Sequence, residues 1–169
     1  SDDFTRFTHD SNTDSSISSN TILSIAEDNQ GNLLLGSYRG LDRMSALGKF
    51  ELFTQGLNLT SKVINSIVMG CDGNIWLATN RGVSRLNPDT KDIVNFGKRE
   101  GVLSQELNTT SFFQTKDCEI LFGGDQGVVS FYPKKNNNKQ TPPPPDLNLT
   151  NILKYYQPIT LNKSLENLC

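Results

Sequence analysis

The chain has 169 residues, with 16 Lys and Arg against 18 Asp and Glu and a formal net charge of −2. That length suits one domain, or one domain plus a fragment of another, and 35% apolar residues suffice for a β-rich core. A slightly acidic chain without clustered Lys and Arg excludes a nucleic-acid surface, because phosphate binding needs such clusters. No apolar run approaches the ~18 residues of a membrane helix, and no signal peptide opens the chain. Its abrupt start and stop lead us to expect a piece of a longer protein.

From the N-terminus, Asp3–His9 reads as a strand that has no repeat of its own. Three similar strings follow: "NQGNLLLGSYRGLDRM", "DGNIWLATNRGVSRL" and "DCEILFGGDQGVVSF". Aligning Gly31, Gly73 and Cys118 brings Leu34, Trp76 and Leu121 into one column. Gly36, Ala78 and Gly123 fall in the next, and Gly40, Gly82 and Gly127 in the last. The period, 42 residues from Gly31 to Gly73 and 45 from Gly82 to Gly127, suits a four-stranded propeller blade or a pair of helices. The runs are short, split by turn residues and free of helical spacing, so the unit is β.

Each repeat predicts a first strand (Ile22 to Ile25; Ile64 to Val68), then a tight turn at "DNQGN" or "CDGN". Gln-Gly and Asp-Gly supply the positive φ there. A second strand ends in small residues, a second glycine turn follows, and then a third strand. "KFELFT" and "DIVNFG" supply a fourth; the third repeat has none. Gly36, Ala78 and Gly123 are expected where neighbouring blades crowd together. Leu34, Trp76 and Leu121 are expected to fill the space between blades. For Trp76 core packing is favoured over ligand stacking.

The repeats occupy about 20–62, 63–107 and 108–133, with 1–19 as an orphan outer strand and join. Pro133 to Pro145 reads as a spacer, flexible in its Asn and Lys run and stiff in its four prolines. The fold class is therefore all-β: a partial β-propeller of three four-stranded-type repeats. Three blades cannot close a ring of the roughly 4–8 that known propellers use. A homodimer closing a six-bladed ring is expected, the orphan leader of one copy completing the last blade of the other.

Candidate chemistry is sparse. Zinc needs about four ligands at short spacing, which Cys71, Cys118, Cys169 and the single His9 do not provide, so no metal and no cofactor are expected. Equivalent turns on successive blades should radiate apart, which predicts free thiols at Cys71 and Cys118 rather than a disulfide. His9 lacks an orienting acid for base catalysis. "FGGDQG" precedes a strand, not the helix of a phosphate loop. "EDNQGN" lacks the alternating oxygen ligands of a calcium loop and reads as an Asx-stabilised turn. The sequons at Asn58, Asn108, Asn148 and Asn162 are taken as chance. The best ligand-binding candidates are Tyr38, Arg39, Asn80, Arg81, Asp125 and Gln126, in equivalent turns after the second strand. Such turns gather on one propeller face, where small ligands commonly bind. Solvated turn residues are the plainer alternative.

The strings "SIAEDNQGNLLLGSYRGLDRM" and "SIVMGCDGNIWLATNRGVSRL" resemble the two-component regulator propeller repeat, and "FFQTKDCEILFGGDQGVVSFYP" resembles its last blade. "PPPPDLNLTNILKYYQPI" is similar to the start of the three-tyrosine Ig-like sandwich that follows the propeller in that family. This implies a 134–146 linker and a 147–169 sandwich start. Leu34 and Leu121 stand where the family has tryptophan, Ala78 where it has glycine, and Cys118 where it has the turn glycine. The resemblance implies a periplasmic ligand-sensing region, with a small-molecule ligand such as an oligosaccharide and no catalysis in the propeller. It also implies a membrane-crossing parent, a histidine kinase, often hybrid. A diguanylate cyclase output, a protein-binding scaffold and a glycan-processing propeller enzyme stand as alternatives. The last would need paired carboxylates, or His and Tyr, converging in the channel.

Overall fold

The computed structural model describes residues 3–104 and 106–133, plus two short strands further on. The chain divides into two units, Ser1–Asn136 and Asn137–Cys169. In the second, Leu153–Lys154 pairs antiparallel with Gln157–Pro158. The expected linker at 134–146 and most of the expected sandwich start at 147–169, with Cys169, lie outside the described residues.

The first unit is built of antiparallel sheets in chain order. Blade 1 holds β1 (Ile22–Glu27), β2 (Leu33–Ser37), β3 (Leu41–Met44) and β4 (Phe50–Leu52). Blade 2 holds β5 (Ile64–Met69), β6 (Ile75–Thr79), β7 (Gly82–Leu86) and β8 (Ile93–Phe96). Among the described residues, blade 3 holds β9 (Leu107–Gln114), β10 (Ile120–Gly124) and β11 (Gly127–Phe131). The first strands β1, β5 and β9 adjoin one another, so the blades converge on their first strands and fan outward from them.

One turn recurs between first and second strands. Residues 28, 70 and 115 each receive a backbone hydrogen bond from the third residue on and donate one to the carbonyl of the fourth. The third residue is left-handed: Gly31 at φ +78°, Gly73 at +80° and Cys118 at +68°. Glycine adopts that conformation freely and cysteine does not. In blade 1 the turn is locked by Asp28, whose Oδ1 accepts the N–H groups of Gln30 and Asn32, each at 2.9 Å. Its Oδ2 meets Arg43 Nε at 3.2 Å. Burial works against the Asp28 charge, but these hydrogen bonds and Arg43 more than offset it, and the carboxyl sits below the ordinary range.

Alternation along the second strand sorts side chains between two interfaces. Leu34 and Leu41 of blade 1 bury against Ile67, Ile75, Leu77 and Leu86 of blade 2. Val68, Trp76, Ala78 and Val83 of blade 2 bury against Leu107, Ile120 and Phe122 of blade 3. Trp76 is 5% exposed and stacks on Phe96, ring centroids 5.6 Å apart. Burying such an aromatic contributes roughly 2–3 kcal/mol. A Cβ at Gly36 would meet Ile64 O at 2.8 Å and Ile64 Cγ2 at 2.9 Å, so glycine there permits the close approach of blade 2. Leu121 occupies the same column as Leu34 and Trp76 but is only half-buried, since among the described residues no further blade packs against it.

Two expectations are corrected. Cys71 and Cys118 form a disulfide, Cα atoms 5.8 Å apart, within the span such a bridge requires. The turns carrying them join the first two strands of each blade, at the convergent side of the fan. There successive blades come together instead of radiating apart. The second correction is the leader. Asp3–His9 forms no strand, because no sheet edge is paired with it. The segment instead runs past blade 1, where Phe7 packs edge-on against Phe50 at 5.2 Å. His9 Nδ1 lies 2.8 Å from the Ile17 carbonyl, and Ile17 buries against Leu35 and Phe50.

Candidate functional site

The turns after the second strands are built by a hydroxyl. Ser37 Oγ accepts the Arg39 N–H at 3.1 Å and donates to the Gly40 carbonyl at 3.2 Å. Thr79 Oγ1 does the same for Arg81 and Gly82, at 3.0 and 2.9 Å. Both hydroxyls are fully buried, so the turn is anchored from below and its two central side chains are pushed into solvent. The glycine that closes it has positive φ, +136° at Gly40 and +97° at Gly82. Blade 3 has Gly124 in place of the hydroxyl. Ser104 Oγ instead accepts the Gln126 N–H at 3.2 Å, and the Glu106 carbonyl accepts that of Asp125 at 3.2 Å.

All six predicted residues, Tyr38, Arg39, Asn80, Arg81, Asp125 and Gln126, are therefore exposed on equivalent turns. Among the described residues no hydrogen bond or ion pair links one turn's pair to another's. They differ in what holds them. Arg39 reaches the Ser18 carbonyl at 3.5 Å. Ser18 in turn donates its hydroxyl to Asp42 at 2.6 Å. Asp42 is wholly buried; burial raises its carboxyl above the ordinary range, against the pull of the two Ser18 hydrogen bonds.

Asn80 is the best fixed of the six. Its Oδ1 accepts from Asn65 Nδ2 at 2.6 Å, and the same amide donates to the Leu107 carbonyl at 2.6 Å. Asn65 thus ties the blade 2 turn to the first strand of blade 3. Beside it, Ser66 Oγ donates to the Asn108 carbonyl at 3.1 Å. Sequence reasoning passed over Asn65, which sits at a bulge in β5: Ile64 opposes Thr79 and Ser66 opposes Ala78, leaving Asn65 as the extra residue. A polar residue inside an otherwise apolar first strand was the available signal. The matching bulge in β9 is longer, with Leu107 opposing Gly124 and Phe112 opposing Phe122. It exposes Asn108, Thr109 and Thr110. Thr110 has φ +54°, an uncommon conformation for a β-branched residue. Bulges of this kind re-aim side chains near functional sites.

Across these turns and the bulges of β5 and β9 the chain offers amides, hydroxyls, two guanidiniums, one carboxylate and a tyrosine. That set can hydrogen-bond a polyol or an acidic sugar. Among the described residues no group of three or more His, Cys, Asp or Glu could hold a metal, and Asn65 and Asn80 do not titrate.

Converging four-stranded antiparallel blades of this kind define a β-propeller fragment. A family model described as two component regulator propeller matches residues 16–39, across the approach to blade 1 and its first two strands. Over 85 residues, 50% of this chain, the sequence is 32% identical to "Histidine kinase P4" of Formosa agariphila, of which it spans 6%. The fold is similar to an extracellular domain assigned to a hybrid two component system of B. thetaiotaomicron. There the TM-score is 0.63 at 19% identity, covering 75% of this chain and 17% of that one. It is also similar to PorZ, a surface component of the type-IX secretion system of Porphyromonas gingivalis. For PorZ the TM-score is 0.56 at 21% identity, covering 69% of this chain and 18% of that one. The chain therefore spans a small part of each relative.

Proposed function

We propose that these blades are part of the extracytoplasmic sensor propeller of a two-component receptor, and that they receive a signal rather than catalyse a reaction. The observation that carries this is the repeat itself, joined to the 32% identity with a histidine kinase. The parent would then cross the membrane, with a kinase as output. A bridge between Cys71 and Cys118 supports an oxidising compartment such as the periplasm, since disulfides are rare in the cytosol.

The ligand would be a small, hydroxyl-rich molecule, of which an oligosaccharide is the natural class. It would meet the exposed turns around Asn80, Arg81, Tyr38 and Arg39, with Asp125 and Gln126 at the edge. Asn80 is the anchor, because its amide is already oriented by Asn65 and costs little further ordering on binding. Calorimetry with neutral and acidic oligosaccharides tests the proposal. Binding should weaken in Asn80→Ala and Arg81→Ala while the fold is kept. Affinity unchanged by substitution of all six residues would end it.

A further inference from the structure

Two adjacent blades are covalently joined through the turns between their first and second strands. Cys71 is the second residue of the blade 2 turn, and Cys118 is the fourth residue of the blade 3 turn. Blade 1 has Asn29 where blade 2 has Cys71, and blade 2 has Gly73 where blade 3 has Cys118. The blade 1–blade 2 seam therefore has no equivalent bridge. The bond also lies outside the apolar cluster between blades 2 and 3. Cys71 is exposed and Cys118 half-buried. A small thiol reaches such a bond in the folded protein, whereas a bridge enclosed in a core must first be uncovered.

The two sulfurs are not equivalent. Gln114, the last residue of β9, donates from its side-chain Nε2 to Cys71 Sγ at 3.4 Å. Among the described residues no such donor meets Cys118 Sγ. A hydrogen bond given to a sulfur favours its thiolate, and the sulfur with the more stable thiolate is the better leaving group. Cys118 differs in its backbone. It is held at φ +68°, where the other two blades have glycine, and a residue with a Cβ resists that conformation. The bond to Cys71 is what keeps it there, so opening the bond lets the turn relax.

We propose that the Cys71–Cys118 bridge is a thiol–disulfide exchange site, where an external thiolate attacks Cys118 Sγ and Cys71 leaves. A new S–S bond forms to Cys118 as the bond between the two Sγ atoms breaks. The electron pair of the broken bond goes to Cys71 Sγ, facing the Gln114 amide, and the thiolate then takes a proton from water. The partner class is a dithiol. Its second thiol attacks the mixed disulfide, so the partner ends as a disulfide and the chain as two thiols, with two electrons passed to the bridge. The consequence falls on one end of β9. Asn65 and Ser66 of blade 2 hold the carbonyls of Leu107 and Asn108 at its start, and the bridge and Gln114 hold its finish. Exchange releases only the finish, which loosens the hairpin of β9 and β10. This step needs none of the ligand contacts of the sensor reading.

The test uses the folded 169-residue chain, carrying Cys169→Ser, without denaturant. It is mixed with 2-mercaptoethanol, quenched at short times with N-ethylmaleimide, digested and mapped by mass spectrometry. The mercaptoethanol adduct should lie on Cys118 and the maleimide on Cys71. Gln114→Ala should keep the circular dichroism spectrum and slow adduct formation by about twofold or more. Gln114→Glu should slow it further, because a carboxylate cannot donate to the sulfur and repels the thiolate. After full reduction by dithiothreitol, amide exchange should rise at 115–118 while Leu107 stays protected. Exchange that requires urea, an adduct mainly on Cys71, rates unaltered by both Gln114 substitutions, or unchanged amide exchange at 115–118 would overturn the proposal.

Discussion

Breaking the Cys71–Cys118 bridge should remove a large share of the stability of the last two blades. The bridge closes a loop of 47 residues. In the chain-entropy treatment such a loop is worth about 4 kcal/mol at 25 °C. A second effect runs the other way. Cys118 is held at φ +68° where the other two turns have glycine, which costs a non-glycine residue about 1 kcal/mol. The bridge sustains that conformation, and without it nothing offsets the cost. Cys71→Ser/Cys118→Ser should therefore lose about 3–4 kcal/mol, a fall in urea midpoint of about 1–2 M. Cys71→Ser/Cys118→Gly should lose about 1 kcal/mol less. Urea unfolding followed by tryptophan fluorescence reads this directly, since Trp76 lies in the blade 2–blade 3 interface. Dithiothreitol should lower the midpoint of the unsubstituted chain. An unchanged midpoint in reductant, or a serine variant as stable as the glycine variant, would refute the reasoning.

Further outcomes follow from the same geometry. Gly36→Ala should destabilise by about 1–3 kcal/mol, because the new Cβ meets the Ile64 backbone; thermal unfolding checks it. Trp76→Ala should cost about 3–5 kcal/mol by the same measurement, since the ring is the centre of an interface and not a surface platform. Asn65→Ala should cost about 1–3 kcal/mol by leaving the Leu107 carbonyl and Asn80 without their donor. It should also weaken any ligand held by Asn80, which calorimetry would read. Asp28 has a folded-state pKa below its unfolded one, so its contribution is full at neutral pH and is lost as pH falls below about 4. Asp28→Asn should be less stable than the parent at pH 7, and the gap should shrink in acid. A gap independent of pH would argue against a charged role for Asp28.

The local chemistry of the blade was legible in the sequence because it depends on near neighbours. Gln-Gly and Asp-Gly specify turns wherever they fall between apolar runs, and the column of Leu34, Trp76 and Leu121 marks the repeat register in the sequence itself. The exposed turn residues could be named for the same reason, since a closing glycine fixes which side chains point outward. The packing column between blades was legible too, but which of its positions a neighbour covers was not. Leu34 and Leu121 hold the same place in the repeat, yet one is buried and the other half-buried, because burial depends on what packs against the column, and among the described residues blade 2 covers Leu34 while nothing covers Leu121. Phe4 and Phe50 share a pattern, yet Phe50 is in a strand and buried while Phe4 is exposed outside any strand. Cys71 and Cys118 are 47 residues apart in the chain; their meeting depends on the convergence of successive first strands, which no local pattern encodes. The sequence by itself determined the repeat and its turns, through backbone preference and alternation. Tertiary structure alone decided the disulfide and the Asn65 bridge, because each depends on which distant strand lies alongside.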